Sequence, residues 1–144
     1  MTNYQHILIA VDLSDESSIV ADRGVAIASQ ANAKLSVIHV IEPINFAYGG
    51  DIPMDLTAIQ EQLDEHARGK LREIGTKYQI PEAQQFVIVG LPQHEIHRVA
   101  EDENVDLVVV GSHGRHGLSL LFGSTSNGVL QGANCDVLAV RVQR

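Results

Sequence analysis

Two stretches of this chain carry the residue types of an anion cradle: Gly111-Ser112-His113-Gly114-Arg115-His116-Gly117 and, further on, Gly123-Ser124-Thr125-Ser126. Closely spaced glycines let backbone N–H groups approach a phosphate without side-chain obstruction. Ser124, Thr125 and Ser126 add hydroxyls and the first free amides of a helix, where the dipole favours negative charge. Arg115 can pair with a phosphate or stand solvated. His113 and His116, and likewise His94 and His97, are three apart, but neither pair has a third ligand at a regular spacing, so no metal site is assigned. Ser112 beside His113 is no nucleophile–base pair either. Adjacent residues on an extended turn point apart, and no carboxylate is placed to orient the ring.

The cradle needs a strand before it and a helix after it, and the sequence supplies both. Asp106-Leu107-Val108-Val109-Val110 reads as a strand buried on both faces, and a last helix is predicted from about Thr125 to Gly132. Upstream, His6 to Val11 is a first buried strand, closed by Asp12 and Ser14. A helix capped by Ser14 is predicted next, with Asp15 and Glu16 at its positive end and Val20, Ile27 and Ala28 on one side through Ala31. The second strand is Leu35 to Ile41. Leu56, Ile59, Leu63, Ala67, Leu71, Ile74 and Tyr78 step by three or four, which predicts one amphipathic helix over 54–79, stopped by Pro81. Gln85 to Val89 is a third strand, followed after Gly90-Leu91-Pro92 by a helix containing Ile96, Val99 and Ala100. Asp136 to Val142 closes the chain as a fifth strand. The loop Ile44 to Gly50, with two aromatics, is a candidate lid or partner surface.

Strands and helices thus alternate, and right-handed crossovers put helices on both faces of a parallel sheet. The expected fold is α/β: a single doubly wound domain over 1–144 whose five-stranded parallel sheet runs in the order 3-2-1-4-5. A ligand in such a sheet sits beyond the carboxyl ends of the strands, where the winding reverses. Asp12 and Gly111 stand at two such ends.

Composition narrows the partners. Hydrophobic residues are 44% and charged residues 19%, as in ordinary folded domains, and aromatics at 4% predict an aliphatic core. A formal net charge of −8 repels nucleic acid and anionic membrane surfaces, so a phosphate must be held locally. No apolar run approaches the roughly 20 residues needed to cross a bilayer. A single cysteine, Cys135, and an N-terminus without an export signal point to the cytoplasm; Cys135 itself reads as a small buried hydrophobe.

Known nucleotide loops fit poorly. Val11-Asp12-Leu13-Ser14 lacks the glycines of a dinucleotide fingerprint or of an ATP-pyrophosphatase loop, and Gly123-Ser124-Thr125 lacks the lysine of a Walker A loop. What remains resembles the universal stress protein family, essentially end to end. His6 to Ser14 is similar to that family's opening strand and aspartate, and Leu35-Ser36-Val37-Ile38-His39-Val40 to its second strand. Asp106 to Ser126 is similar to the Gly-x-x-Gly, spacer, Gly-Ser/Thr signature of its ATP-binding members. The spacer here, Arg115 to Phe122, is eight residues where the family pattern has nine.

The resemblance implies an adenine-nucleotide site. Asp12 would contact the nucleoside, with Ala10, Val11 and Leu13 lining the same turn; a carboxylate there can accept from ribose or the adenine amine, or can cap the turn that follows. The backbone at Val40 would read adenine, and Val110 and Gly111 would lie beneath the ribose. Gly114, Gly123, Ser124, Thr125 and Ser126 would hold phosphates, with Arg115 beside them. ATP or AMP is the implied ligand, with Mg2+ carried through its phosphates. The implied function is regulatory nucleotide binding in stress adaptation, without dedicated catalysis and with hydrolysis at most slow. A nucleotide-free dimeric scaffold is the alternative. The resemblance further implies a homodimer joined through Val137 to Val142 and a protein partner that the sequence does not identify.

Overall fold

The computed structural model describes residues 4–43, 56–111 and 134–141. The described strands are β1 (His6–Ala10), β2 (Lys34–Ile41), β3 (Gln85–Val89), β4 (Leu107–Gly111) and β5 (Asp136–Val140). The described helices are α1 (Ser17–Ala31), α2 (Leu56–Tyr78) and α3 (Pro92–Asp102), with a short 3-10 turn at Glu82–Gln84. All strand pairs are parallel, in the order β3-β2-β1-β4-β5. This is the doubly wound α/β sheet that the sequence predicts. The predicted last helix and the Ile44 to Gly50 loop lie outside the described residues.

The central strands are apolar on both faces because both faces are covered. Ile7, Ile9, Val37, Leu107 and Val109 pack with Val20 and Ala28 of α1 and Leu71 of α2. Their alternates Leu8, Ile38, Val108 and Val110 pack with Ile96, Val99 and Ala100 of α3. The one-residue alternation of a strand therefore sorts side chains into an α1/α2 layer and an α3 layer. The core is aliphatic, as composition requires.

Helix ends depart from the sequence reading. Ser14 does not cap α1: Glu16 is the cap residue and makes no side-chain cap bond, while the first turn carries no acidic residue. Ser14 is drawn instead to Asp12. α2 stops short of Pro81, with a turn of its own before the proline. The helix ends at Tyr78, Gln79 turns left-handed (φ 60°), and Ile80 N–H donates to Gly75 O at 2.8 Å. The ends of α1 and α3 repeat this turn, with Asn32 (φ 54°) and Asn104 (φ 56°) left-handed and the N–H groups of Ala33 and Val105 returning to Ala28 O and Ala100 O. Such turns satisfy carbonyls that the helix leaves open. Leu63, placed by periodicity on the apolar face of α2, is 38% exposed. Cys135 is half-buried rather than buried, and desolvation raises its thiol pKa, with help from Asp136 and Asp106.

Polar bonds pin the amino ends of the strands. The buried His6 ring donates from Nδ1 to Glu103 O (2.9 Å) and shares a bond with Ser36 Oγ (2.6 Å), which in turn bonds Gln84 Oε1 (2.8 Å). The Asp106 carboxylate accepts from the N–H groups of Gln5 and His6. Tyr4 Oη donates to Asp136 Oδ2 at 2.7 Å, joining the start of β1 to the start of β5. A second tyrosine bridges helices: Tyr78 Oη of α2 donates to Asp22 of α1, and Lys77 Nζ stands 5.1 Å from the Tyr78 ring centroid.

Candidate functional site

The winding direction reverses between β1 and β4, and in sheets of this kind ligands sit beyond the carboxyl ends of the strands at that point. Register sets what lines it. Ala10 lies opposite Ile38 of β2 and Ile9 opposite Val109 of β4, which brings Val11 level with the end of β4 and Asp12 level with Val40. Ala10 and Val40, both half-buried, pack with Val110 in the α3 layer, whereas Val11 and Leu13 belong to the α1/α2 layer. Gly111, the last residue of β4, is level with Val140 of β5. The described residues predicted for the site therefore gather on one edge of the sheet. Gly114, Arg115, Gly123, Ser124, Thr125 and Ser126 lie outside the described residues.

Asp12 organises the β1–α1 turn. Its Oδ1 accepts from Ser14 N (3.0 Å), Ser14 Oγ (2.6 Å) and Ser17 Oγ (3.2 Å), so the carboxylate closes a side-chain turn over the start of α1. Leu13 between them is left-handed, with φ 64°, a region that side chains larger than glycine enter rarely and keep only when neighbours hold them there. The turn-capping role open to Asp12 in the sequence is thus occupied by this one oxygen.

His39, which the sequence reading did not single out, bonds to one of the predicted site residues. Its Nδ1 lies 2.9 Å from Val11 O. A carbonyl only accepts, so Nδ1 carries the proton, and in the neutral ring Nε2 holds the lone pair. Burial pushes the imidazole below its ordinary value; His66 of α2 acts in the same direction, while the Val11 carbonyl and the Asp12 carboxylate pull the other way. The available signal was a histidine within the run Val37 to Ile41, whose other residues are all aliphatic, one residue before the position assigned to adenine.

Beside Val40, the carboxyl end of β3 presents apolar surface. Val89 is 43% and Leu91 50% exposed, flanking Gly90, whose N–H donates to Ile41 O at 2.9 Å. With the Gly90 N–H paired, what the end of β3 presents is aliphatic side-chain surface. Among the described residues, no group of three or more His, Cys, Asp and Glu is arranged to hold a metal ion. No described helix is long and apolar enough to cross a membrane.

Comparison with known proteins gives a consistent answer. The model of the universal stress protein family matches residues 3–141. Universal stress protein A homolog 1 of Coxiella burnetii is 43% identical over 139 residues, covering 96% of each chain. The solved universal stress protein UspA from Lactobacillus plantarum superposes with a TM-score of 0.75 at 23% identity over 99% of this chain and all of that one, a likeness of fold. A universal stress protein solved in complex with cAMP superposes with a TM-score of 0.68 at 26% identity, again over 99% of this chain and all of that one.

Proposed function

The chain belongs to the universal stress protein family, and from that membership we propose that it binds ATP or AMP as a regulatory ligand in stress adaptation. The observation that carries the proposal is that register brings Val11, Asp12, Val40 and Gly111 level at the carboxyl ends of the strands, at the β1/β4 reversal. Support comes from the relative bound to cAMP, whose adenine and ribose are those of ATP and AMP. In this reading Asp12 and the end of β2 meet the nucleoside, and Gly114, Gly123, Ser124, Thr125 and Ser126 meet phosphates, with Arg115 beside them. Mg2+ enters on the phosphates of ATP rather than on side chains. The site serves binding rather than turnover: a ligand-held conformation signals to a protein partner in the cytoplasm.

The same proposal includes one domain over 1–144 and a homodimer paired through Val137 to Val142. β5 is an edge of the described sheet, and an edge strand with apolar side chains is stabilised when a twofold mate covers it. A second reading keeps the dimer and drops the nucleotide, on the ground that the spacer from Arg115 to Phe122 is one residue shorter than the family pattern.

Mass spectrometry of nucleotides released from denatured purified protein, followed by calorimetric titration with ATP and Mg2+, separates the two. The proposal expects a bound adenine nucleotide or a saturable titration that Gly114→Val weakens. Absence of both in the wild-type protein selects the scaffold reading.

A further inference from the structure

We propose that His39 is a positioning residue that takes the Val11 carbonyl out of the β1–β2 ladder and so keeps the Val40 N–H open to a ligand. The proposal rests on the adenine-nucleotide reading and names a device that makes that site available.

The ladder itself shows where the departure occurs. Lys34 N–H donates to Gln5 O at 2.8 Å, and Val11 N–H donates to Ile38 O at 3.0 Å. In a parallel pair these bonds recur every second residue, so the N–H groups of Ser36, Ile38 and Val40 all face β1, and the next acceptor in line for Val40 is Val11 O. Among the described residues that last bond is not formed. Val11 O accepts instead from His39 Nδ1–H at 2.9 Å. A histidine one residue before the end of the ladder has thus replaced a backbone donor with a side-chain donor, and the displaced donor is the backbone N–H of Val40.

An N–H at a half-buried strand end needs an acceptor. The chemistry that suits this one is a ring nitrogen of a purine lying against the strand end, with the exposed Val89 and Leu91 nearby as apolar surface. His39 does not touch such a ligand. It acts through the Val11–Asp12 peptide, which carries the diverted carbonyl at one end and leads into the carboxylate turn at the other. The groups that face the ring among the described residues are Asp12 from the β1–α1 turn and His66 from α2.

Two substitutions and two readouts test this. His39→Ala removes the side-chain donor, so Val11 O returns to Val40 N–H; amide hydrogen exchange at Val40 should slow in the ligand-free protein, while affinity for AMP falls about tenfold, the loss expected of one hydrogen bond. His39→Asn places an amide N–H where Nδ1 stood and should keep both the exchange rate of Val40 and the AMP affinity within about threefold of wild type. A merely structural histidine would lower stability without slowing exchange at Val40. Unchanged exchange and unchanged affinity in His39→Ala overturn the proposal, as does a Val40 amide already protected in the ligand-free wild type. If the wild type binds none of AMP, ATP and cAMP, the nucleotide reading falls by itself, and the exchange comparison still decides whether His39 controls the Val40 amide.

Discussion

Gly24 of α1 stands so close to Ile9 of β1 that a Cβ on the glycine would fall 2.6 Å from Ile9 Cγ1 and 2.7 Å from its Cδ1. Ile9 is fully buried in the same cluster as the fully buried Val109, so its side chain has little room to swing aside. Gly24→Ala gains helix propensity of about 1 kcal/mol, yet overpacking a filled core costs about 1–3 kcal/mol. A net loss of stability is expected, read as a melting temperature lowered by a few degrees in calorimetry. A raised melting temperature would mean that α1 can step away from the sheet.

Asp12→Ala should loosen the turn as well as the site. Three donors lose their acceptor and Leu13 loses the closure that surrounds its left-handed backbone, for an expected cost of about 1–2 kcal/mol at a half-buried position. Urea unfolding should show a lower midpoint at unchanged slope. Ser17→Ala, which removes one of the three donors, should give a smaller effect in the same direction.

Acid should weaken the folded chain in part through His39. Its imidazole is held below the ordinary value of about 6.5, so between that value and the folded one the unfolded chain binds more protons. Stability contributed by the neutral ring is complete above about pH 6.5, declines as pH falls, and is lost once pH has passed below the folded value. Denaturation midpoints measured from pH 7.5 downward should fall less steeply in His39→Asn than in wild type. Parallel slopes would assign the acid sensitivity to other groups.

Alkali should act through Tyr78, with the opposite sign. Burial, and then the hydrogen bond to Asp22, raise the phenol above its ordinary 10.0, so the unfolded chain gives up this proton first and stability falls as pH rises past that value. Tyr78→Phe should lower stability at neutral pH by about 0.5–1 kcal/mol and flatten the alkaline decline, followed by circular dichroism from pH 8 to 11.

The proposed dimer can be broken without touching the sheet. Asp136 N–H donates to Asp106 O, so alternate N–H groups on β5, those of Val137 and Ala139, face away from β4. Proline is tolerated on an edge strand where its missing N–H faces outward. Ala139→Pro should therefore sediment as a 15.6 kDa monomer with a folded circular-dichroism spectrum, while the wild type sediments at twice that mass. A wild type that is monomeric at micromolar concentration would remove the dimer from the proposal.

Strands were legible in this sequence because the central ones are buried on both faces. Runs such as Ile7-Leu8-Ile9 and Val108-Val109-Val110 have no competing helical period, and β3 falls on Gln85–Val89 as the sequence predicts. Helix boundaries were less legible. Ser14 has the composition of a cap, but Asp12 two residues earlier offers a stronger acceptor, and such a competition between neighbours is decided by geometry. Asp12 was singled out by its place at a strand end together with the family resemblance, and Val40 by the resemblance alone. The bond from His39 to Val11 O was not legible because it joins residues 28 positions apart across the ladder.

The two tyrosines that hold carboxylates make the molecule self-reporting in an uneven way. With no tryptophan in the chain and an aliphatic interior, ultraviolet emission comes from tyrosine alone. Tyr4 reaches past β4 from the start of β1 to the start of β5, and Tyr78 links α2 to α1, each with its phenol hydrogen-bonded to an aspartate, a contact expected to quench its emission. Emission rises when such a contact parts, even while the aliphatic layers remain packed. Fluorescence read in a Tyr48→Phe background, where Tyr4 and Tyr78 are the two remaining tyrosines, is therefore a gauge of undocking at the periphery, and its midpoint should precede that of far-ultraviolet circular dichroism wherever these contacts open first.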